Sequence, residues 1–93
     1  MTVEFTASAR NEWLEAVHYY NEQRAGLGYE FVLEVDRAVE RVTQFPEAWT
    51  KVGPRTRRIL LDRFPYGLLY WLEADRIVIT AVMNLRRKPE ERS

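Results

Sequence analysis

Between Phe31 and Phe45, apolar residues return at alternating steps of four and three. Phe31, Val35, Ala38, Val42 and Phe45 therefore lie along one stripe of a predicted helix. Pro46 ends it, because proline supplies no backbone N–H and clashes with the turn before it. The stretch ahead of it has the same period. Ala9, Trp13, Val17 and Tyr20 recur at helical spacing, with Glu12, Glu15 and Glu22 on other faces. Thr6 or Ser8 supplies a cap for a start near Ala9, and Gly26 and Gly28 mark the stop. Before this helix "TVEF", β-branched and aromatic, predicts a short strand.

After Pro46 the period changes. Glu47 to Arg55 is turn-like, with "VGP" at Val52 to Pro54 and an aromatic, Trp49, that needs cover or a partner. "RRILL", "YGLLYWL" and "RIVITAVMN" then read as three strands joined by the turn regions "DRFP" and "EADR", and such short links favour antiparallel neighbours. The last two strands are apolar on both faces, which predicts helices over one face and some other cover over part of the second. The expectation is an α+β fold, with an N-terminal strand and a two-helix hairpin packed on a small, mainly antiparallel sheet of three to four strands. At 93 residues the chain holds one core, so residues 1–93 are read as a single domain.

Composition narrows the chemistry. Without cysteine there is no disulfide framework and no thiolate nucleophile, and a single histidine, His18, argues against a zinc site; no metal or cofactor is expected. As a general base His18 would need a cleft and a partner, and its place in the first helix beside Tyr19 provides neither. No apolar run approaches the ~20 residues that span a bilayer, and Met1 to Arg10 has no signal-peptide core, so no membrane association and a cytoplasmic location are expected. The formal charge is zero but unevenly placed. Residues 1–50 carry four Arg against nine acids, and residues 51–93 carry ten Lys or Arg against five, so the halves are −5 and +5. That asymmetry points to a cationic face with an anionic partner.

The segment "RFPYGLLYWLEADRIVITAVMNLRRKP" is distinctive in its order: "RFPY" before an aliphatic-aromatic strand, an acid-rich hairpin, an "AV" strand and a closing "RRKP". With "YYNEQ" and "FPE" in the helical half, and with the order strand, two helices, three strands, nearly the whole chain resembles the RelE/ParE toxins of bacterial type II toxin-antitoxin systems. The resemblance implies one of two activities. ParE-like members act on DNA gyrase, and RelE-like members cut messenger RNA in the ribosomal A site. RelE-like enzymes typically carry an arginine shortly after the aromatic residue of the third strand, and a Tyr or His near the C-terminus. Here Gly67 follows Tyr66, no Tyr or His lies beyond Tyr70, and Asn84 stands where many relatives have His. The departures favour a ParE-like, non-enzymatic gyrase inhibitor neutralised by a cognate antitoxin. A RelE-like ribonuclease acting with the ribosome, and a non-toxic remnant that only binds an antitoxin, stay open as alternatives.

On this reading the target-binding candidates are Arg57, Arg58, Asn84, Arg86, Arg87 and Lys88, whose guanidinium and ammonium groups fit carboxylates or phosphates. Candidates for antitoxin binding are Trp13, Tyr20, Trp49, Arg63 and Trp71. Acidic residues of the antitoxin are expected to meet Arg57, Arg58 or Arg63.

Overall fold

The computed structural model describes residues 1–86. Strand β1 (Thr2–Phe5) leads into helix α1 (Ala7–Gln23), where the Thr6 hydroxyl accepts a hydrogen bond from the Ala9 N–H at 3.1 Å. Thr6 rather than Ser8 is thus the cap, and the helix begins two residues earlier than its apolar stripe. Helix α2 (Leu27–Gln44) starts at Gly26, whose φ of 88° is the left-handed conformation that glycine adopts without strain. Gly28 lies inside α2 and not in the link. A Cβ there would meet the Val17 carbonyl oxygen at 2.6 Å, so the absent side chain lets the two helices close together.

Of the predicted α2 stripe, Phe31, Val35, Ala38 and Val42 are buried. Phe45 is not: it is 61% exposed. The helix ends at Gln44, and Phe45 is its C-cap at φ −136°, ψ 70°, so its side chain has left the helical path before the period can carry it inward. Glu34 takes part in the stripe instead and is 5% exposed.

The sheet has five strands, not three to four, in the order β1-β5-β4-β3-β2. The additional strand, β2 (Thr50–Lys51), lies within the stretch expected to be turn and pairs with β3 (Arg57–Leu60). β3, β4 (Tyr66–Glu73) and β5 (Arg76–Asn84) are antiparallel neighbours, whereas β1 joins β5 in parallel, Val3 beside Ile77 and Phe5 beside Ile79. Leu69 faces Ala81 while Tyr70 faces Ile79, which leaves Thr80 as the extra residue of a bulge. The bulge resets the alternation so that Ile77, Ile79 and Val82 are all buried. Glu12 of α1 accepts the Val82 N–H just beyond it, at 2.8 Å.

Both helices cover one face of the sheet. Between the layers lie Phe31, Ile59, Leu68, Tyr70, Ile77 and Ile79, each fully buried and worth about 1.5 to 3 kcal/mol of burial before chain entropy is counted. Tyr70 donates its hydroxyl to the Pro46 carbonyl at 2.7 Å, which secures the exit of α2. No helix among the described residues is long and apolar enough to cross a membrane.

Candidate functional site

Local chemistry converges at the end of the domain where β5 leaves the sheet. The segment between β3 and β4 is held there by Glu34, whose Oε1 accepts the N–H groups of Asp62 and Arg63 at 3.1 and 3.4 Å while Oε2 pairs with Arg37 at 3.2 Å. Arg63 is thereby placed to donate to Glu30 Oε1 at 2.7 Å, with its guanidinium carbon 5.4 Å from the Phe64 ring centre. Arg24 reaches the other Glu30 oxygen at 3.7 Å. The Arg63 hydrogen bond, helped by the charge of Arg24 and opposed by partial desolvation, holds the Glu30 carboxyl below the usual range.

β5 is tied to the same segment by the Leu85 N–H, which donates to the Pro65 carbonyl at 2.8 Å. Asn84 is occupied locally, its Oδ1 accepting the Arg86 N–H at 2.9 Å, so it shapes the exit from the strand and Arg86 is left exposed. Beneath lies an aromatic floor. Tyr20 stands 4.8 Å from Phe64 and 6.0 Å from Tyr66, and Phe31 packs under all three at 5.0 to 5.5 Å. Burial raises the Tyr20 phenol above its ordinary value, the neighbouring Tyr19 adds to this, and the charge of Arg86 opposes it. Arg63 and Arg86, assigned from sequence to different partners, therefore flank one aromatic cluster. The arrangement offers fork-shaped cations on a rigid apolar base.

Arg57 and Arg58 are elsewhere. Arg57 and Arg58 are adjacent in a strand and so point to opposite faces. Arg57 turns toward the helices, donates to the Trp49 carbonyl at 2.8 Å and lies beside Tyr70, whose phenol is raised by burial against the opposing charge of Arg57. Arg58 is on the helix-free face opposite Leu69. Arg87 and Lys88 lie outside the described residues.

A second feature runs along β1, the edge strand. Thr2 and Thr6 donate their N–H groups to β5 carbonyls or their flank, Asp75 and Ile79, so the backbone groups of the intervening Val3 and Phe5 face the open edge. Beside them is a cavity of about 310 Å³, lined by Val3, Phe5, Trp13, Val35 and Val39, with exposed Arg10 and Asp36 at its margin. The Trp13 indole nitrogen is buried without a hydrogen-bond partner. Of the remaining antitoxin candidates, Trp49 packs half-buried against the core. Trp71 is on the helix-free face, donating to the Thr56 hydroxyl at 3.1 Å beneath the Arg55 guanidinium. The five candidates do not form one surface.

Glu34 and Glu30 were missed from sequence, although Glu34 follows Phe31 by three and precedes Ala38 by four, a carboxylate on the predicted buried stripe. His18 projects from α1 with its side chain 76% exposed and Glu22 at 3.2 Å, away from both features. No group of three or more His, Cys, Asp or Glu side chains among the described residues is placed to hold a metal ion.

Comparison with known proteins agrees with this architecture. The family model described as the ParE toxin of the type II toxin-antitoxin system, parDE, matches residues 3–89. A solved structure titled as a chromosomal ParDE TA system from P. aeruginosa superposes with a TM-score of 0.80 at 16% identity, over 92% of this chain and 97% of that one. No curated protein sequence matches the chain.

Proposed function

The chain belongs to the ParE toxin family of type II toxin-antitoxin systems, and we propose that it is the toxin of such a pair, a cytoplasmic protein inhibitor of DNA gyrase held inactive by a cognate antitoxin. The observation that carries this reading is the placement of Arg63, paired with Glu30, and of the exposed Arg86 at the end of the domain that holds the Tyr20, Phe64 and Tyr66 cluster. Guanidinium groups beside a packed aromatic cluster bind carboxylates or phosphates of a large target without transforming them. Metal-free RNA cleavage requires in addition a base that is unprotonated near neutral pH. At this end the carboxylate, Glu30, is engaged by Arg63 at 2.7 Å and Arg24 at 3.7 Å, and the phenol of Tyr20 is raised above its ordinary value. His18 is on another side of the molecule's helical layer, paired with Glu22. These features favour inhibition by binding over the ribonuclease alternative.

The antitoxin is assigned to β1. Its edge offers the free N–H and C=O groups of Val3 and Phe5 for strand addition, and the adjoining cavity takes an apolar side chain of the added strand. A carbonyl of that strand would satisfy the Trp13 indole. The structural relative, titled as a ParDE system, is named for two components, which supports a partner of this kind. Controlled expression provides the test. Induction of the chain alone should give filamentous cells with a DNA-damage response, reversed by co-expression of a cognate antitoxin. Arrest of protein synthesis as the first event would favour ribosome-dependent cleavage, and normal growth would indicate a remnant that only binds antitoxin.

A further inference from the structure

Two guanidinium groups converge on one carboxylate near the β5 exit. Arg63 donates to Glu30 Oε1 at 2.7 Å and Arg24 lies 3.7 Å from Oε2, so each oxygen faces a different cation. The three residues come from separate segments, and the backbone of each is tied down. Arg24, the C-cap of α1, donates its N–H to the Tyr20 carbonyl at 3.1 Å and accepts the Leu27 N–H at 3.0 Å. Glu30 stands in the first turn of α2, its N–H bonded to the Gly26 carbonyl at 3.2 Å. The Arg63 N–H is held by Glu34 at 3.4 Å, and its guanidinium lies beside the Phe64 ring. The two arginines thus form a seat for an anion, and in the free chain Glu30 fills it.

The seat is reachable and its occupant is weakly held. The Arg24 and Arg63 side chains are 59% and 55% exposed, and that of Glu30 is 34% exposed. Ion pairs this open to water contribute little, so a carboxylate delivered by a larger contact replaces Glu30 at small cost. The surroundings suit a protein. Tyr29, next to Glu30, is 65% exposed, and Tyr19, edge-on to Tyr20 at 5.1 Å, is 54% exposed. Leu85, bonded to Pro65 two residues beyond Arg63, is 41% exposed. Tyrosine and arginine beside apolar surface are the residues that protein partners bury at the centre of an interface. A nucleic-acid backbone would satisfy the cations and leave Tyr29 and Leu85 without contacts.

On the reading that this end of the chain binds its target, we propose that Arg24 and Arg63 form a carboxylate seat for that target, and that an acidic residue on the target's protein surface displaces Glu30 from it. Arg24, which the sequence did not single out, then belongs to the binding surface. Glu30 is an internal competitor that holds potency down.

Titrating the purified chain into a supercoiling reaction with purified gyrase tests the proposal. Glu30→Gln removes the internal carboxylate and keeps the size of the side chain, so the half-inhibiting concentration should fall by roughly threefold to fivefold, the most that so exposed a pair holds back. Glu22→Gln changes the net charge equally and leaves the seat filled, so it should stay within about 1.5-fold of wild type at physiological salt. Arg24→Met should raise the half-inhibiting concentration in either the wild-type or the Glu30→Gln background. Equal gains from Glu30→Gln and Glu22→Gln would overturn the proposal, as would unchanged inhibition by both Glu30→Gln and Arg24→Met at the wild-type melting temperature. Fluorescence anisotropy reads the seat without gyrase, using a dye-labelled peptide of alternating glutamate and leucine beside a dye-labelled DNA duplex. Glu30→Gln should tighten the peptide by the same factor. Tightening of the duplex alone would make this a phosphate site and overturn the assignment to a protein carboxylate. If the peptide result holds while the wild type leaves supercoiling untouched, the seat stands and the gyrase reading fails.

Discussion

Replacing Phe31 with alanine probes the packing that supports the cationic end of the domain. The ring is fully buried and contacts Tyr20, Phe64 and Tyr66 at centroid distances of 5.5, 5.1 and 5.0 Å. Truncating a buried phenylalanine to alanine costs about 3 to 5 kcal/mol. Three ring contacts, each worth roughly 0.5 to 1.5 kcal/mol beyond its area, place this site toward the upper end. A domain of this size has a total stability of about 5 to 14 kcal/mol. The variant should therefore lose a third or more of its stability, and its urea midpoint should fall by about 2 M or more for a slope near 1 to 2 kcal/mol per molar. Phe45→Ala is the matched control. The residue is the same type and nominally the same stripe, but its side chain is mostly in water, so the midpoint should move by less than the equivalent of ~0.5 kcal/mol. A Phe31→Ala melt within 1 kcal/mol of wild type, or a Phe45→Ala loss above 2 kcal/mol, would refute the account of how α2 meets the sheet.

Three further outcomes follow from the same geometry. Glu34→Ala should destabilise by about 2 to 3 kcal/mol, because it strands two partly buried N–H groups, and amide exchange at Asp62 and Arg63 should accelerate more than in the helices. Tyr70→Phe should cost about 0.5 to 1.5 kcal/mol through loss of the bond to the Pro46 carbonyl, read from the same urea titration. Stability should also fall in acid. Arg63 at Glu30 and Arg76 at Glu73 depress the folded-state carboxyl pKa values, so their contribution is complete above the ordinary carboxylate range and is lost as pH falls through the lowered values. Denaturation midpoints between pH 7 and 3 should show this slope, and Arg63→Met should make it shallower.

Periodicity carried most of the fold. The four-and-three stripe of α2, the period-two strands and the short links fixed both helices and the antiparallel β3-β4-β5 core, because each reflects a local preference repeated over several residues. The parallel docking of β1 against β5 follows from tertiary packing across two intervening helices and has no local signature. The bulge at Thr80 was hidden for a different reason. In "IVITAV" nearly every position is apolar, so a slip in alternation leaves no mark on the pattern. Arg57 and Arg58 illustrate the reverse case. Their adjacency made them look like one cationic patch, yet the strand period separates them onto opposite faces, one occupied by Trp49 and the other open. Arg63 and Arg86 are distant in sequence and come to the same end of the domain because Glu34 holds one loop and Leu85 binds the same loop from β5.

The central claim, that the Arg63 and Arg86 end of the molecule inhibits gyrase by binding, is tested most directly by adding the purified chain to a DNA supercoiling reaction with purified gyrase. Wild type should block supercoiling. Arg86→Glu should abolish the block while retaining the wild-type melting temperature, since exposed substitutions shift stability by less than ~0.5 kcal/mol. Undiminished supercoiling in the presence of wild-type protein, with cleavage of messenger RNA appearing when the same protein is added to translating ribosomes, would contradict the account.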